Sequence, residues 1–155
     1  MDSESVFQSQ LDRLLGTLGV KPRPMEGPRV IEPPDPSDLQ ACLPPGRSLW
    51  MDSGGTYHSV YGDLDRGTQS DHITSKEALD VLFPIAFNYI LCEASSYERE
   101  HREARADKRR AYFAYMQRRM EELGPEYANR CRAEISSILR SSPYDDATYV
   151  EHGIW

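Results

Sequence analysis

The sequence predicts an α+β fold: an N-terminal helix, a proline-rich connector, a small antiparallel β-meander, and three helices packed on the meander. Three observations predict it. Apolar residues recur at helical spacing near the N-terminus, eight of the eleven prolines lie between residues 21 and 46, and helical patterns fill residues 75–142. A chain of 155 residues can bury one real core, so we expect a single domain over residues 1–155.

The N-terminal helix is expected over Val6–Leu18, within residues 1–20, because apolar residues recur there every three or four positions and Gly19 follows. Residues 21–46 form the connector, because proline fixes φ and removes backbone donors. This segment can therefore hold only an edge strand, such as Arg29–Glu32.

The meander is expected over residues 47–74, where alternating residues are interrupted by the glycine turn Ser53–Gly55. In its second strand, alternation places Tyr57 and Tyr61 on one face and His58 on the other.

The helical part, residues 75–142, begins with Thr74 and Glu77, which have the spacing of a capping box. The helix that follows is apolar on nearly every side, which predicts burial. Tyr97–Leu123 is predicted as a charged helix, with or without a break near His101. Gly124 and Pro125 separate it from the last helix, and residues 143–155 form an acidic, aromatic tail.

Charge and cysteine usage indicate a cytoplasmic protein. Acidic residues number 25 against 18 basic ones, a net charge of −7, which argues against nucleic-acid binding and suits a basic partner. Cys92 and Cys131 are predicted to lie on apolar helical faces, where free thiols act as small hydrophobic side chains. A reducing compartment is the simple explanation for such free thiols. The N-terminus lacks the pattern of a secretory signal, and the apolar run Ala78–Cys92 is too short to span a bilayer.

No catalytic or metal-binding motif is recognisable. The four histidines are scattered without the spacing of a zinc site, so we predict neither metal nor cofactor. Asp63, Asp65 and Asp71 are close enough in sequence to suggest a hydrolase or a calcium site, but they lack the EF-hand pattern, and solvated loop acids are the favoured interpretation. The interleaved arginine and glutamate of residues 98–122 are typical of a solvated helix face with internal ion pairs.

From Tyr57 to Asp146 the chain resembles a family of bacterial polymorphic-toxin immunity proteins, immunity protein 63. The matching residues are Tyr57-His58, Asp65-Arg66-Gly67, Thr74, Tyr97-Glu98, Arg102, Asp107, Arg109-Arg110, Phe113, Pro125-Glu126-Tyr127, Arg130, Ala133-Glu134-Ile135 and Pro143-Tyr144-Asp145-Asp146. The chain departs from the family pattern at Asp65, Pro84 and Tyr127. The first fifty-odd residues and the last nine lie outside the resemblance.

The resemblance implies a single immunity-type domain that binds one cognate toxin domain and blocks it without chemistry of its own. The toxin would be basic, as nucleases often are, and neither nucleic acid nor a membrane would be bound directly. We expect the partner-binding surface to be Tyr57, Tyr61, Asp63, Asp65 and Asp71, joined by Tyr149 and Trp155. Residues of the family pattern are expected to hold the helices together: Tyr97, Glu98, Arg102, Asp107, Arg109, Arg110, Tyr144 and Asp145.

Two alternatives remain open. One is a small hydrolase or nucleotide-binding enzyme that uses Asp63, Asp65 and Asp71 with His58 or His72. It requires a pocket where these groups converge and a carboxyl group of raised pKa. The other is a regulatory or assembly domain that binds a housekeeping partner.

Overall fold

The computed structural model describes residues 3–20, 27–35, 37, 43–63, 68–102 and 106–148. Its elements are helix α1 (Ser3–Leu18), strands β1 (Arg29–Val30), β2 (Gly46–Met51), β3 (Tyr57–Asp63) and β4 (Thr68–Ser75), and helices α2 (Ala78–Glu100), α3 (Arg109–Leu123) and α4 (Pro125–Ser141). The predicted α+β class and element order are thus confirmed. The chain divides into two compact units, Met1–Ile85 and Ala86–Trp155, and the prediction of a single domain stays a prediction.

In the first unit, α1 lies against β1 and β2, and its apolar stripe is buried: Phe7, Leu11, Leu14, Leu15 and Leu18. The helix ends where Gly19 takes φ 68°. The amides of Gly19 and Val20 donate to the carbonyls of Gly16 (3.1 Å) and Leu15 (3.0 Å). This pair of bonds is the Schellman arrangement, which requires a left-handed residue and so favours glycine.

The four strands form one sheet in the order β1-β2-β3-β4. Strands β2, β3 and β4 pair antiparallel as the predicted meander, and Ser59–Tyr61 carries a register shift against β4. The sheet as a whole is mixed, however, because β1 pairs parallel with β2. Residues 31–45 separate the two strands, which is long enough for the crossover that a parallel pair needs.

Helix α2 crosses the boundary of the two units and corrects the prediction of a helix buried on all sides. Val81, Ala86, Ile90 and Ala94 are fully buried, but an exposed stripe runs along the helix at Asn88, Cys92, Ser95 and Arg99. Cys92 therefore does not lie on a buried face, whereas Cys131 on α4 does. Burial raises the pKa of the Cys131 thiol to about 11.

The apolar run predicted as too short for a bilayer is part of this longer helix of 23 residues. Within the described residues, α2 is the one helix whose length and composition would allow it to cross a membrane, a test that the core helix of a soluble protein also passes.

In the second unit, α3 and α4 pack against each other across Phe113, Met116, Met120, Ala128 and Cys131, all buried. Gly124, with φ 127°, separates the two helices as expected. The predicted stripe on α4 does not extend to its end, because Ile138 is 36% exposed.

The charged stretch breaks between α2 and α3, so a continuous helix over Tyr97–Leu123 is ruled out. Asp107 lies two residues before α3, and its Oδ1 accepts the Arg109 amide at 2.9 Å, an interaction typical of helix N-termini. At the start of α2, Ser75 replaces the predicted cap Thr74. Its Oγ accepts the Glu77 amide at 3.1 Å and donates to the Asp80 carboxylate.

Candidate functional site

In the first unit, the sheet brings together an aromatic and histidine cluster that we call the sheet cluster: Trp50, Asp52, His58 and His72. Trp50 and His58 are cross-strand partners on β2 and β3, and their rings stack with centroids 4.8 Å apart and planes 4° apart. The His72 ring on β4 lies 5.6 Å from the His58 ring. Trp50 is buried, so it forms the apolar support of this cluster.

Hydrogen bonds connect the polar members of the sheet cluster in a chain. His58 Nε2 lies 3.0 Å from Asp52 Oδ2, and His58 Nδ1 lies 3.3 Å from His72 Nε2. Because the Asp52 carboxylate only accepts, Nε2 of His58 carries the hydrogen. The hydrogen bond from His58 lowers the pKa of Asp52 to about 2. Burial, and next the charge of His58, lower the pKa of His72.

Asp52 also holds the β2–β3 turn, because its Oδ1 accepts the amides of Gly54 (2.8 Å) and Thr56 (2.9 Å). Lys76 Nζ donates to the Gly54 carbonyl at 2.8 Å. Asp52 therefore fixes the turn and bonds His58 at the same time. No group of three or more His, Cys, Asp or Glu side chains able to hold a metal ion occurs among the residues the structure describes.

The residues predicted to bind the partner are placed unevenly. The Tyr57 ring packs edge-on against Phe7 of α1, with centroids 4.9 Å apart. Tyr61 is 42% exposed, and the Arg47 guanidinium lies 5.8 Å from its ring centre. The backbones of Asp63 and Asp71 lie on β3 and β4. Asp65, Tyr149 and Trp155 lie outside the described residues.

In the second unit, the family-pattern residues form ion pairs. Arg102 donates to Glu98 through Nε (2.7 Å) and Nη2 (3.1 Å). Arg109 donates to Asp107 Oδ2 through Nη2 at 2.6 Å, and the Asp107 side chain is 1% exposed. Glu98 is also buried, so both carboxylates depend on these partners.

Asp107 also connects α3 to the segment that follows α4. Its Oδ2 accepts the Asp145 amide at 3.0 Å, and its own amide donates to Asp146 Oδ1 at 2.8 Å. The hydrogen bond from the Arg109 guanidinium holds the pKa of Asp107 well below its usual range. Arg109 in turn donates to the carbonyls of Ser142 and Pro143, both at 2.8 Å.

The same segment is held by Arg110 and Tyr144. Arg110 Nη2 lies 2.9 Å from Asp146 Oδ2, and its guanidinium carbon lies 4.1 Å from the centre of the Tyr144 ring. This stacking is typical of a cation–π contact. These bonds fix residues 142–146 on the N-terminal end of α3.

A third cluster, the tyrosine–arginine groove, lies between the C-terminal end of α2 and α3 and consists of Tyr97, His101, Tyr115 and Arg118 with a floor of Ala111 and Ala114. Tyr97 stacks on His101 with centroids 4.0 Å apart and contacts Tyr115 at 4.6 Å. Of the residues that line this groove, the sequence pattern singled out only Tyr97 and Arg102. The signal for it was the helical spacing of Tyr97 with His101 and of Tyr115 with Arg118.

One protein family matches strands β3 and β4 together with α2, α3 and most of α4. A family described as immunity protein 63 matches residues 53–137. The class defined by this match is the immunity proteins, and the chain belongs to the immunity protein 63 family. Membership indicates a toxin-neutralising immunity function and implies a toxin partner. No curated protein and no solved structure matches the chain.

The matched segment begins close to where the sequence resemblance begins, and it includes the groove together with His58 and His72. It ends before Pro143-Tyr144-Asp145-Asp146, so that part of the resemblance lies outside the matched residues.

Proposed function

We propose that this protein binds one cognate bacterial toxin domain in the cytoplasm and neutralises it by protein contact, without catalysis. The observation that carries the proposal is the family match over residues 53–137, which covers strands β3 and β4 together with α2, α3 and most of α4. Such a protein needs only a complementary surface of about 800 Å² per partner.

The chemistry of the described side chains supports binding over catalysis. A hydrolase that uses paired carboxyl groups needs one whose pKa is raised, so that it can carry a proton at neutral pH. Five described carboxyl groups have a lowered pKa: Asp35, Asp52, Asp107, Asp145 and Asp146. Both nitrogens of His58 are engaged by Asp52 and His72, an arrangement that suits a structural role.

Growth rescue tests the proposal. The toxin domain encoded beside this gene is induced in a bacterial host, with and without this protein, and an unrelated toxin serves as the specificity control. We expect growth to be restored against the adjacent toxin only, and the two proteins to co-purify. Failure to restore growth, or rescue without a complex, contradicts the proposal. Capture of an abundant housekeeping protein instead supports the regulatory alternative.

A further inference from the structure

The tyrosine–arginine groove has the composition of a protein-binding hot spot. Tyrosine and arginine are enriched among the residues that dominate interface energetics, because they bury a large area and keep a polar group at the end. The groove has a volume of about 500 Å³, within the range of sites that enclose part of a partner. The side chains of Ala111 and Ala114 end at Cβ, so they leave the space between the rings of the groove unfilled.

The cationic side of the groove is Arg118. Its guanidinium carbon lies 5.5 Å from the Tyr97 ring centre and 5.3 Å from the Tyr115 ring centre. Among the residues that the structure describes, no carboxylate pairs with Arg118. Arg119, the next residue, differs, since it is paired with Glu93 at 2.9 Å.

Two groups of the groove can donate to a partner, the Arg118 guanidinium and the Tyr97 hydroxyl. The His101 ring lies 3.0 Å from the Tyr97 carbonyl through Nδ1, and because a carbonyl only accepts, Nδ1 carries the hydrogen. In the described part of the chain no hydrogen bond reaches the Tyr97 hydroxyl. The Tyr115 hydroxyl differs in donating to Glu93 at 3.1 Å. A planar guanidinium and a phenol hydroxyl are groups that recognise a carboxylate.

The surrounding charge also favours an anionic partner. Residues 97–119 contain eight basic and four acidic residues, although the whole chain has a net charge of −7. Lys108 is exposed and lines the neighbouring cleft together with Arg102, and Arg102 also lines the groove. Four of these basic residues are paired with carboxylates, so the attraction for an acidic segment comes mainly from Arg118 and Lys108.

We propose that the tyrosine–arginine groove binds a carboxylate-bearing segment of the cognate toxin, with Arg118 engaging the carboxylate and the rings of Tyr97 and His101 covering it. This inference rests on the proposed function. It differs from the surface expected from the sequence, which is the acidic meander facing a basic toxin.

A charge reversal at Arg118 tests the inference. The full chain is titrated with the toxin domain encoded beside its gene, by calorimetry, as wild type, Arg118→Glu and Arg132→Glu. Arg132 is the matched control, because it is exposed on α4 and its guanidinium donates to Asn129. We expect Arg118→Glu to raise the Kd at least about 30-fold, the loss that marks a hot spot, and Arg132→Glu to change it by less than about threefold. Circular dichroism melts verify that each variant is folded.

Cross-linking locates the contact independently. The sequence contains three lysines, at 21, 76 and 108, and a carbodiimide joins a lysine only to a carboxylate in direct contact. In the wild-type complex we expect Lys108 to be joined to an aspartate or glutamate of the toxin. Binding that survives Arg118→Glu, or cross-links at Lys76 without any at Lys108, overturns the groove assignment while leaving the proposed function intact. No binding by the wild-type chain overturns both.

Discussion

Replacing Asp107 by asparagine should destabilise the second unit more than any other conservative change of a single carboxylate. The substitution keeps the shape of the side chain and removes its charge. Oδ2 accepts Arg109 Nη2 (2.6 Å) and the Asp145 amide (3.0 Å), while Oδ1 accepts the Arg109 amide (2.9 Å) and Nε (3.1 Å). In either orientation of the new amide, its NH₂ group therefore faces at least two donors.

The magnitude follows from those losses. An unsatisfied buried donor costs about 1–3 kcal/mol, and breaking a buried ion pair costs about 3–5 kcal/mol. The Arg109 side chain is 25% exposed, so water compensates part of the loss. We expect the free energy of unfolding to fall by about 3 kcal/mol, and the melting temperature by about 6–12 °C.

Asp146→Asn is the matched control. The Asp146 side chain is 44% exposed and its partner Arg110 is 49% exposed, so the same chemical change should lower the melting temperature far less than Asp107→Asn does. Circular dichroism gives the melting curves, and hydrogen exchange of peptides from residues 106–148 localises the effect. Equal losses of stability for the two variants would refute the conclusion that Asp107 is the main contact between α3 and the segment that follows α4.

The pH dependence gives a second check of the same contact. Because the pKa of Asp107 is lower in the folded than in the unfolded state, its stabilisation is complete above about pH 4 and is lost as the pH falls below that value. The difference in free energy of unfolding between wild type and Asp107→Asn should therefore become smaller at acid pH. A difference that is constant down to pH 2 would contradict the account.

Three further predictions concern other parts of the chain. Because the pKa of His72 is lowered in the fold, its stabilising contribution should be complete above about pH 6.5 and decline as the pH falls. In chemical denaturation, the free energy of unfolding of His72→Gln should therefore fall less between pH 7 and pH 5 than that of the wild type. Gly19→Ala should cost about 1 kcal/mol because of its φ of 68°. Gly16→Ala, where a Cβ would meet nothing within 4 Å, should stabilise by about 0.5–1 kcal/mol in thermal melts; a loss for both variants would contradict the helix end described. In a Cys42→Ser background, a thiol reagent should modify exposed Cys92 in the folded protein and Cys131 only on unfolding, and equal rates would contradict the burial of Cys131.

Local signals made much of the fold predictable. The spacing of Phe7, Leu11 and Leu14 predicts an amphipathic helix. Gly19 predicts its end, because glycine readily adopts the left-handed conformation needed there. The glycine turn of Ser53–Gly55 predicts the β2–β3 hairpin, because such a turn is recognised from adjacent residues alone. These features need no knowledge of distant residues.

The features that the sequence did not reveal depend on distant contacts. The Asp107 carboxylate accepts the Asp145 amide, and the Asp107 amide donates to Asp146, both more than 35 residues away, and these contacts cannot be derived from spacing. The sheet cluster pairs His58 with His72 across two strands and includes Asp52, which the sequence did not single out. Helix α2 is exposed along Asn88, Cys92 and Ser95, a stripe that its overall apolar composition hides.

A stoichiometric titration tests whether the protein neutralises a toxin by occupying it. The activity of the toxin domain encoded beside the gene is measured at a fixed concentration well above the Kd, against increasing amounts of this protein. The account predicts a linear loss of activity that ends at about one equivalent, as tight binding requires. Complete inhibition by small catalytic amounts, increasing with incubation time, or full activity in the presence of excess protein would contradict it.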